Sequence, residues 1–221
     1  MPLTSRLATV SDVDAMTALH LRSLAADEHL GALLGEDFVR ASYLWHVTDP
    51  MAWVVVAESD GAFIGLFGMC SGPFTTRMLW GCKAALVAAL FRRPNLLADR
   101  RLWSRLARGK SGPPWVARFC AEPGIAEGTI GAVDASARGQ GVFPALIRQC
   151  ETECLSRGLS AVRGGLYRRN VPCYRAFVKT GWTEVPDMGS EERVYFVRVF
   201  KREVIDRFPQ LSEAGVPDVA E

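Results

Sequence analysis

The chain has 221 residues, 49% hydrophobic and 23% charged, with a formal net charge of +2. That length suits one domain with a substantial core, and the mixture is that of a folded globular protein, not a disordered or fibrous one. No apolar run approaches the ~20 residues of a membrane span, and "MPLTSRLATVSDVD" lacks the charged and apolar blocks of a signal peptide.

Residues 3–10 read as a short strand. In "SDVDAMTALHLRSL", Ser11 and Asp14 make a capping-box pattern that predicts a helix start. A second helical pattern, "GEDFVRASYLWHVTD", closes near Asp49-Pro50. "WVVVAESDGAFIGLFG" then sets two Val-, Ile- and Phe-rich runs around Asp60-Gly61, a hairpin signal. The opening is expected to run β-α-α-β-β.

Residues 73–118 differ in kind. They hold ten Lys or Arg and one acid, Asp99, a balance of +9 that leaves −7 for the rest of the chain. "LWGCKAALVAALF" predicts an apolar core or lid helix stopped by "RRP". "NLLADRRLWSRLARG" predicts another, with Leu96, Leu102, Trp103 and Leu106 on one side and Arg101, Arg105 and Arg108 on the other. That basic side is either a solvated surface or a docking face for something anionic: a phosphorylated substrate, a membrane surface or a nucleic acid. "SGPPW" ends the segment. After it, strand and helix alternate: strands near 126–133, 160–167, 182–185 and 193–200, and helices over 144–157 and 171–180. Residues 210–221 read as a flexible tail.

The six cysteines form no CxxC pair, and the three histidines, His20, His29 and His46, show no zinc spacing. No metal is expected. Reduced, mostly buried thiols in a cytoplasmic protein are the expectation.

"VDASARGQGVFPALIRQCE" carries the clearest chemistry. Apolar residues at 143, 146, 147, 150 and 154 give a helix face, with Pro144 in its first turn, where a missing N–H costs nothing. The amides of Gly139 to Phe143 then stand at the positive end of a helix dipole. Gly139 and Gly141 leave them open to a ligand, and Arg138 adds charge at the mouth. These are the parts of an anion site. Neither GxxxxGK[ST] nor a GxGxxG dinucleotide fingerprint is present.

The order of elements around this turn resembles the GNAT superfamily of acetyl-CoA-dependent N-acetyltransferases. "GAVDASARGQGVF" is similar to its strand ending in an apolar pair, turn and [QR]xxGx[GA], with Ala132-Val133, Asp134 and Arg138-Gly139-Gln140-Gly141 in register. Phe143 stands at the last small position, where it is expected to crowd the phosphate side. "NVPCYRAFVKTGW" supplies a second element through Asn170, Cys173, Phe177, Gly181 and Trp182. The resemblance covers 126–200 and 1–72, and not 73–118.

The resemblance implies an α/β fold, a twisted mixed sheet of six to seven strands flanked by helices, with the basic helical insertion between strands 3 and 4. The 126–133 and 160–167 strands would splay at one end. Acetyl-CoA would place its pyrophosphate on the amides of Gly139, Gln140, Gly141, Val142 and Phe143 beside Arg138. Its pantetheine would pair along Gly131, Ala132 and Val133, and Asn170 would contact the arm. An amide near Val133 would stabilise charge on the thioester oxygen.

The family's usual tyrosine acid falls at Phe177, which cannot donate a proton. Tyr174 is the first substitute, with Cys173, Tyr167 and water open. Glu127 is the first candidate base, followed by Glu122 and His46. Asp134 reads as a turn cap. The expected reaction is direct acetyl transfer to the amine of a small metabolite, with an anionic amino sugar suggested by the basic segment. A non-catalytic acyl-CoA-binding module and a protein N-acetyltransferase are the alternatives. Expected partners are the small amine and a second copy of the chain as a homodimer, with no nucleic acid and no membrane span.

Overall fold

A computed structural model describes residues 3–24, 29–72, 74–100, 102–103 and 113–214. Its strands are β1 (Thr4–Leu7), β2 (Ala52–Ser59), β3 (Ala62–Ser71), β4 (Ile125–Val133), β5 (Ala161–Tyr167), β6 (Thr183–Glu184) and β7 (Arg193–Val199). They form one sheet in the order β1-β2-β3-β4-β5-β7-β6. Every neighbouring pair is antiparallel except β4 and β5, which are parallel. The β2–β3 hairpin turns at Asp60 (φ 51°) and Gly61 (φ 76°), the two positive angles that a tight hairpin turn of this hand requires.

Alternation along the strands gives the sheet two buried faces. On one, Val162, Leu166, Val194 and Phe196 pack with Leu146, Ile147, Cys150 and Phe177. These last belong to α7 (Val142–Ser156) and α8 (Val171–Lys179). On the opposite face, α1 (Val13–Ser23) and α3 (Glu36–Thr48) cover β2 to β4 through Met16, Leu19, Val39 and Tyr43. The short α2 (Leu30–Leu34) lies between them in sequence. Further along that face, α6 (Pro114–Ala121) and the C-terminal segment cover β5 and β7.

The start of the chain departs from expectation. β1 ends at Leu7, and a 3-10 turn over Val10–Asp12 precedes α1. A capping box of Thr9 and Asp12 opens that turn, not Ser11 with Asp14. The Asp12 carboxylate accepts the Thr9 amide at 2.7 Å and both terminal nitrogens of Arg6 at 2.7 and 3.0 Å. That bidentate pair holds its carboxyl down at about 2.

The basic segment does lie between β3 and β4, and its apolar stretch breaks in two. α4 (Phe74–Gly81) and α5 (Lys83–Arg92) meet at 72° and pack on Leu34, Phe38 and Trp45. Among the described residues no single helix is long and apolar enough to cross a membrane. Pro94–Ala98 is a 3-10 turn. The basic side expected of Arg101, Arg105 and Arg108 lies outside the described residues.

Three helices were not foreseen, the first being the short α2, an extra helix in the expected β-α-α-β-β opening. α6 begins where "SGPPW" read as a stop, because Pro114 occupies the first helical position, where proline is tolerated. α9 (Arg202–Arg207) follows β7, and Leu211 and Ala214, expected in the tail, are buried beside Phe119 and Val204.

Candidate active site

β4 and β5 pair only from Ile125–Ala161 to Gly128–Gly164. Beyond Gly128 the register of β4 against β3 slips by one residue, with Gly68 opposite Ile130 and Met69 opposite Gly128. Thr129 is thus the extra residue of a bulge, which bends its strand. From there β4 follows β3 while β5 follows β7, and the two edges part.

The Asp134 amide donates to the Ile64 carbonyl at 2.9 Å. Strand alternation then turns the amides of Ala132 and Asp134 toward β3, and those of Gly131 and Val133 toward the open side. Of the three amides expected to take a ligand, those of Gly131 and Val133 face the gap and that of Ala132 does not.

The turn after β4 is fixed by Asp134, as expected. Its carboxylate accepts the Ser136 amide at 3.0 Å, the Ser136 hydroxyl at 2.7 Å and Arg22 Nε at 2.7 Å. These donors hold the carboxyl well below its ordinary range. Gly139 (φ 77°) and Gly141 (φ 81°) have left-handed backbones, and a Cβ on either would meet nothing within 4 Å. Conformation, not crowding, requires glycine here, and the space in front of the turn is open. The helix proper starts at Val142, and the first amide to bond back is Ala145, to the Gly141 carbonyl at 3.1 Å. The amides before it have no helical acceptor. Arg138 Nε donates to the Val133 carbonyl at 3.3 Å and Gln140 Nε2 to the Ser136 carbonyl at 2.8 Å, so both brace the turn.

Phe143 does not crowd that opening. Its ring turns inward, 5.4 Å from Phe67 and 6.0 Å from Phe177, and covers Gly131, where a Cβ would stand 2.8 Å from it.

A cavity of about 360 Å³ opens at the splay. On the α7–α8 side it is lined by Phe143, Phe177, Asn170 and Cys173. On the opposite side it is lined by His20, His29, Tyr43, His46 and Phe74 from α1 to α4, and by Glu127, Arg163, Tyr167, Arg193 and Tyr195 from the sheet. All three histidines of the chain line this one cavity. Among the described residues no cluster of metal ligands forms.

His46 is buried, with Nδ1 2.7 Å from the Ser42 carbonyl and Nε2 2.9 Å from Thr129 Oγ1. A carbonyl only accepts, so Nδ1 carries the hydrogen and Nε2 takes the threonine's. His20 Nδ1 pairs with the Tyr43 hydroxyl at 2.9 Å, and its Nε2 is buried without a partner. Burial pushes both imidazoles down to about 4, so they are neutral near pH 7.

The predicted site residues divide. Gly131, Phe143, Asn170 and Glu127 line the cavity, with Glu127 ion-paired to Arg163 at 2.6 Å. Asn170 also caps α8, its Oδ1 accepting the Cys173 amide at 3.2 Å. Ala132 is buried under α1 and α3, while Val133, Arg138, Gly139, Gln140, Gly141 and Val142 form the rim described above.

Tyr174 is not brought to the cavity. Its hydroxyl donates to Glu184 at 2.8 Å, which raises its pKa, and its ring lies 5.1 Å from Phe196. Glu122 pairs with Arg207 and is not part of the lining. Cys173 does line the cavity, its thiol pushed by burial to about 12. His20, Tyr43, Arg193 and Tyr195 were missed. The available signal was the placing of polar rings in register with Met16, Leu19 and Val39, on the apolar sides of two helices.

No protein-family model matches the chain, and neither does any curated protein. Solved structures do. The aminoglycoside acetyltransferase AAC(6')-Ib in complex with coenzyme A is 18% identical, over 94% of this chain and 99% of that one, with a TM-score of 0.55. The PaiA N-acetyltransferase of Thermoplasma acidophilum, also in complex with coenzyme A, is 11% identical over 90% and 100%, at 0.56. The GNAT domain of S. lividans PAT is 14% identical over 88% and 89%, at 0.56. At these identities the likeness establishes the fold: a mixed α/β sheet of the kind found in GNAT acetyltransferases.

Proposed function

We propose that this chain transfers an acetyl group from acetyl-CoA to the primary amine of a small molecule by direct attack. One observation carries the reading: the β4–β5 splay opens on the 360 Å³ cavity beside a glycine turn with clear space before it. The fold shared with coenzyme A-bound acetyltransferases supports it.

Acetyl-CoA, once bound, supplies an activated acetyl group. The amides of Gly139 to Phe143 at the start of α7, with Arg138 at the mouth, hold its pyrophosphate. The open-side amides of Gly131 and Val133 take the pantetheine arm as an added strand, and Val133 N–H steadies charge growing on the carbonyl oxygen. Asn170 abuts the arm. Glu127, oriented by Arg163, receives the amine's proton directly or through water. Tyr167 lies in the cavity wall, where Tyr174 does not, and serves as the proton donor to the departing thiolate. An anionic acceptor is the form best suited to the charge of residues 73–118. Six free thiols suit a reducing compartment, the cytoplasm.

A non-catalytic acyl-CoA-binding module is the second reading, favoured by Phe177 and by the Tyr174 hydroxyl engaged on Glu184. Calorimetry with acetyl-CoA tests the site. The wild type should bind, and Gly141→Glu, which adds a negative charge and backbone strain, should weaken binding at least ~10-fold. No binding by the wild type would sink both readings. Thiol release against a panel of amines then separates them, since a module that only binds releases none.

A further inference from the structure

The cavity wall opposite α7 is built of rings. His20 and His46 are 1% and 2% exposed. Tyr43 meets His20 edge-on at 5.6 Å, and Phe74 lies 5.5 Å from His46. Burial holds both imidazoles neutral, so these four rings carry no charge.

Among the described residues, three side chains with a fixed charge line the cavity. Glu127 and Arg163 neutralise each other at 2.6 Å. Arg193 remains. Its guanidinium carbon lies 5.1 Å from the Tyr167 ring centre and 5.7 Å from that of Tyr195, and no carboxylate is paired with it. Its Nε is buried without a hydrogen bond, as is His20 Nε2. Native interiors rarely leave such polar atoms unmet, and both residues belong to the same cavity lining.

An amine adds positive charge of its own to a basin that already holds one unmatched cation. An acceptor bringing an acid group corrects that imbalance and meets the unpaired guanidinium. Its body must suit rings, not water. A phosphorylated sugar would surrender the hydration of its hydroxyls and of a doubly charged group against neutral imidazoles and a phenyl ring. A planar apolar body surrenders little and gains ring contacts. We propose that the acceptor is an aromatic amine carrying a carboxylate, its ring against the part-exposed Phe74 that fronts the buried His20, Tyr43 and His46, and its carboxylate on Arg193. The inference rests on the acyl-transfer reading above.

The test compares phenethylamine, L-phenylalanine, para-carboxyphenethylamine and glucosamine phosphate as acceptors by thiol release. One of the two aromatic acids should exceed phenethylamine in kcat/KM by at least ~10-fold, and which one wins reports the distance from amine to Arg193. Arg193→Gln should erase that ratio. Equal rates for acids and phenethylamine, preference for the sugar phosphate, or an Arg193→Gln loss that leaves the ratio intact would each overturn the inference. Acetyl-CoA calorimetry on the same preparations keeps the two failures apart. A wild type that binds no acetyl-CoA defeats the acyl-transfer reading. If no amine is turned over, calorimetry of the aromatic acids in the presence of coenzyme A decides. Heat that disappears in Arg193→Gln supports the basin, and no heat from the wild type overturns it.

Discussion

Gly131 and Phe143 are two halves of one contact. A methyl group on Gly131 would stand 2.8 Å from Phe143 Cε2 and 3.1 Å from Cζ, while Phe143 is held from behind by Phe67 and Phe177. The ring cannot give way without disturbing two others. Gly131→Ala should therefore destabilise the fold by ~1–3 kcal/mol through overpacking. Phe143→Leu in the same chain should recover most of that loss, read as the coupling in a double-mutant cycle of denaturant midpoints. Additive effects would show that the ring is free to move. The sequence resemblance placed a misfit at Phe143, and its resolution lies at a residue twelve positions earlier that only the tertiary structure brings beneath it.

At the scale of elements, the bulge in β4 is anchored from outside the sheet. His46, on α3, takes the Thr129 hydroxyl at 2.9 Å, so a helix holds the one residue at which the strand leaves its parallel neighbour. Thr129→Val keeps the shape and strands a buried imidazole nitrogen, which should cost ~1–3 kcal/mol. It should also weaken acetyl-CoA binding if the bond sets the strand's course, whereas Thr129→Ser should retain both properties. Chemical denaturation and calorimetry read the two effects separately. A Val variant with wild-type stability would show that the bulge does not depend on the bond.

Much of this level was legible in the chain. Local chemistry dictated the Asp60-Gly61 turn, the glycine turn and the α7 face. The break between α4 and α5 was not, because Gly81-Cys82 offers no strong stop and the packing of both helices on Phe38 and Trp45 sets the angle. α6 was hidden by a proline pair that begins a helix as readily as it ends one.

For the whole molecule, the two buried histidines impose a direction on acid stability. Both fold with a pKa near 4 against an ordinary value of 6.5. Between those values the unfolded chain binds protons that the folded chain refuses, so stability is complete above about 6.5 and declines as pH falls toward 4. Each site contributes up to ~3 kcal/mol to that decline. Thermal midpoints from pH 7 to 4.5 should fall accordingly, and His46→Gln should flatten the slope. A profile unchanged by the substitution would place the acid sensitivity elsewhere. Their shared placing was unreadable beforehand, although His46 was among the candidate bases. A histidine on an apolar helix side is ordinarily a core residue, and only the fold brings these three to one hollow.

The sheet is also two ribbons. β1 to β4 and β5 to β7 are each stitched along their length, yet they join through only the four register pairs from Ile125–Ala161 to Gly128–Gly164. Hydrogen exchange should find this short join opening before the ribbons on either side. A ligand arm laid along Gly131 and Val133 would act as a splice, lending the missing stitches to the seam. Any gain from it would be linked to ligand concentration, about 2.7 kcal/mol at a hundredfold excess over Kd. The gap that admits the ligand would then also be the weak line that it mends.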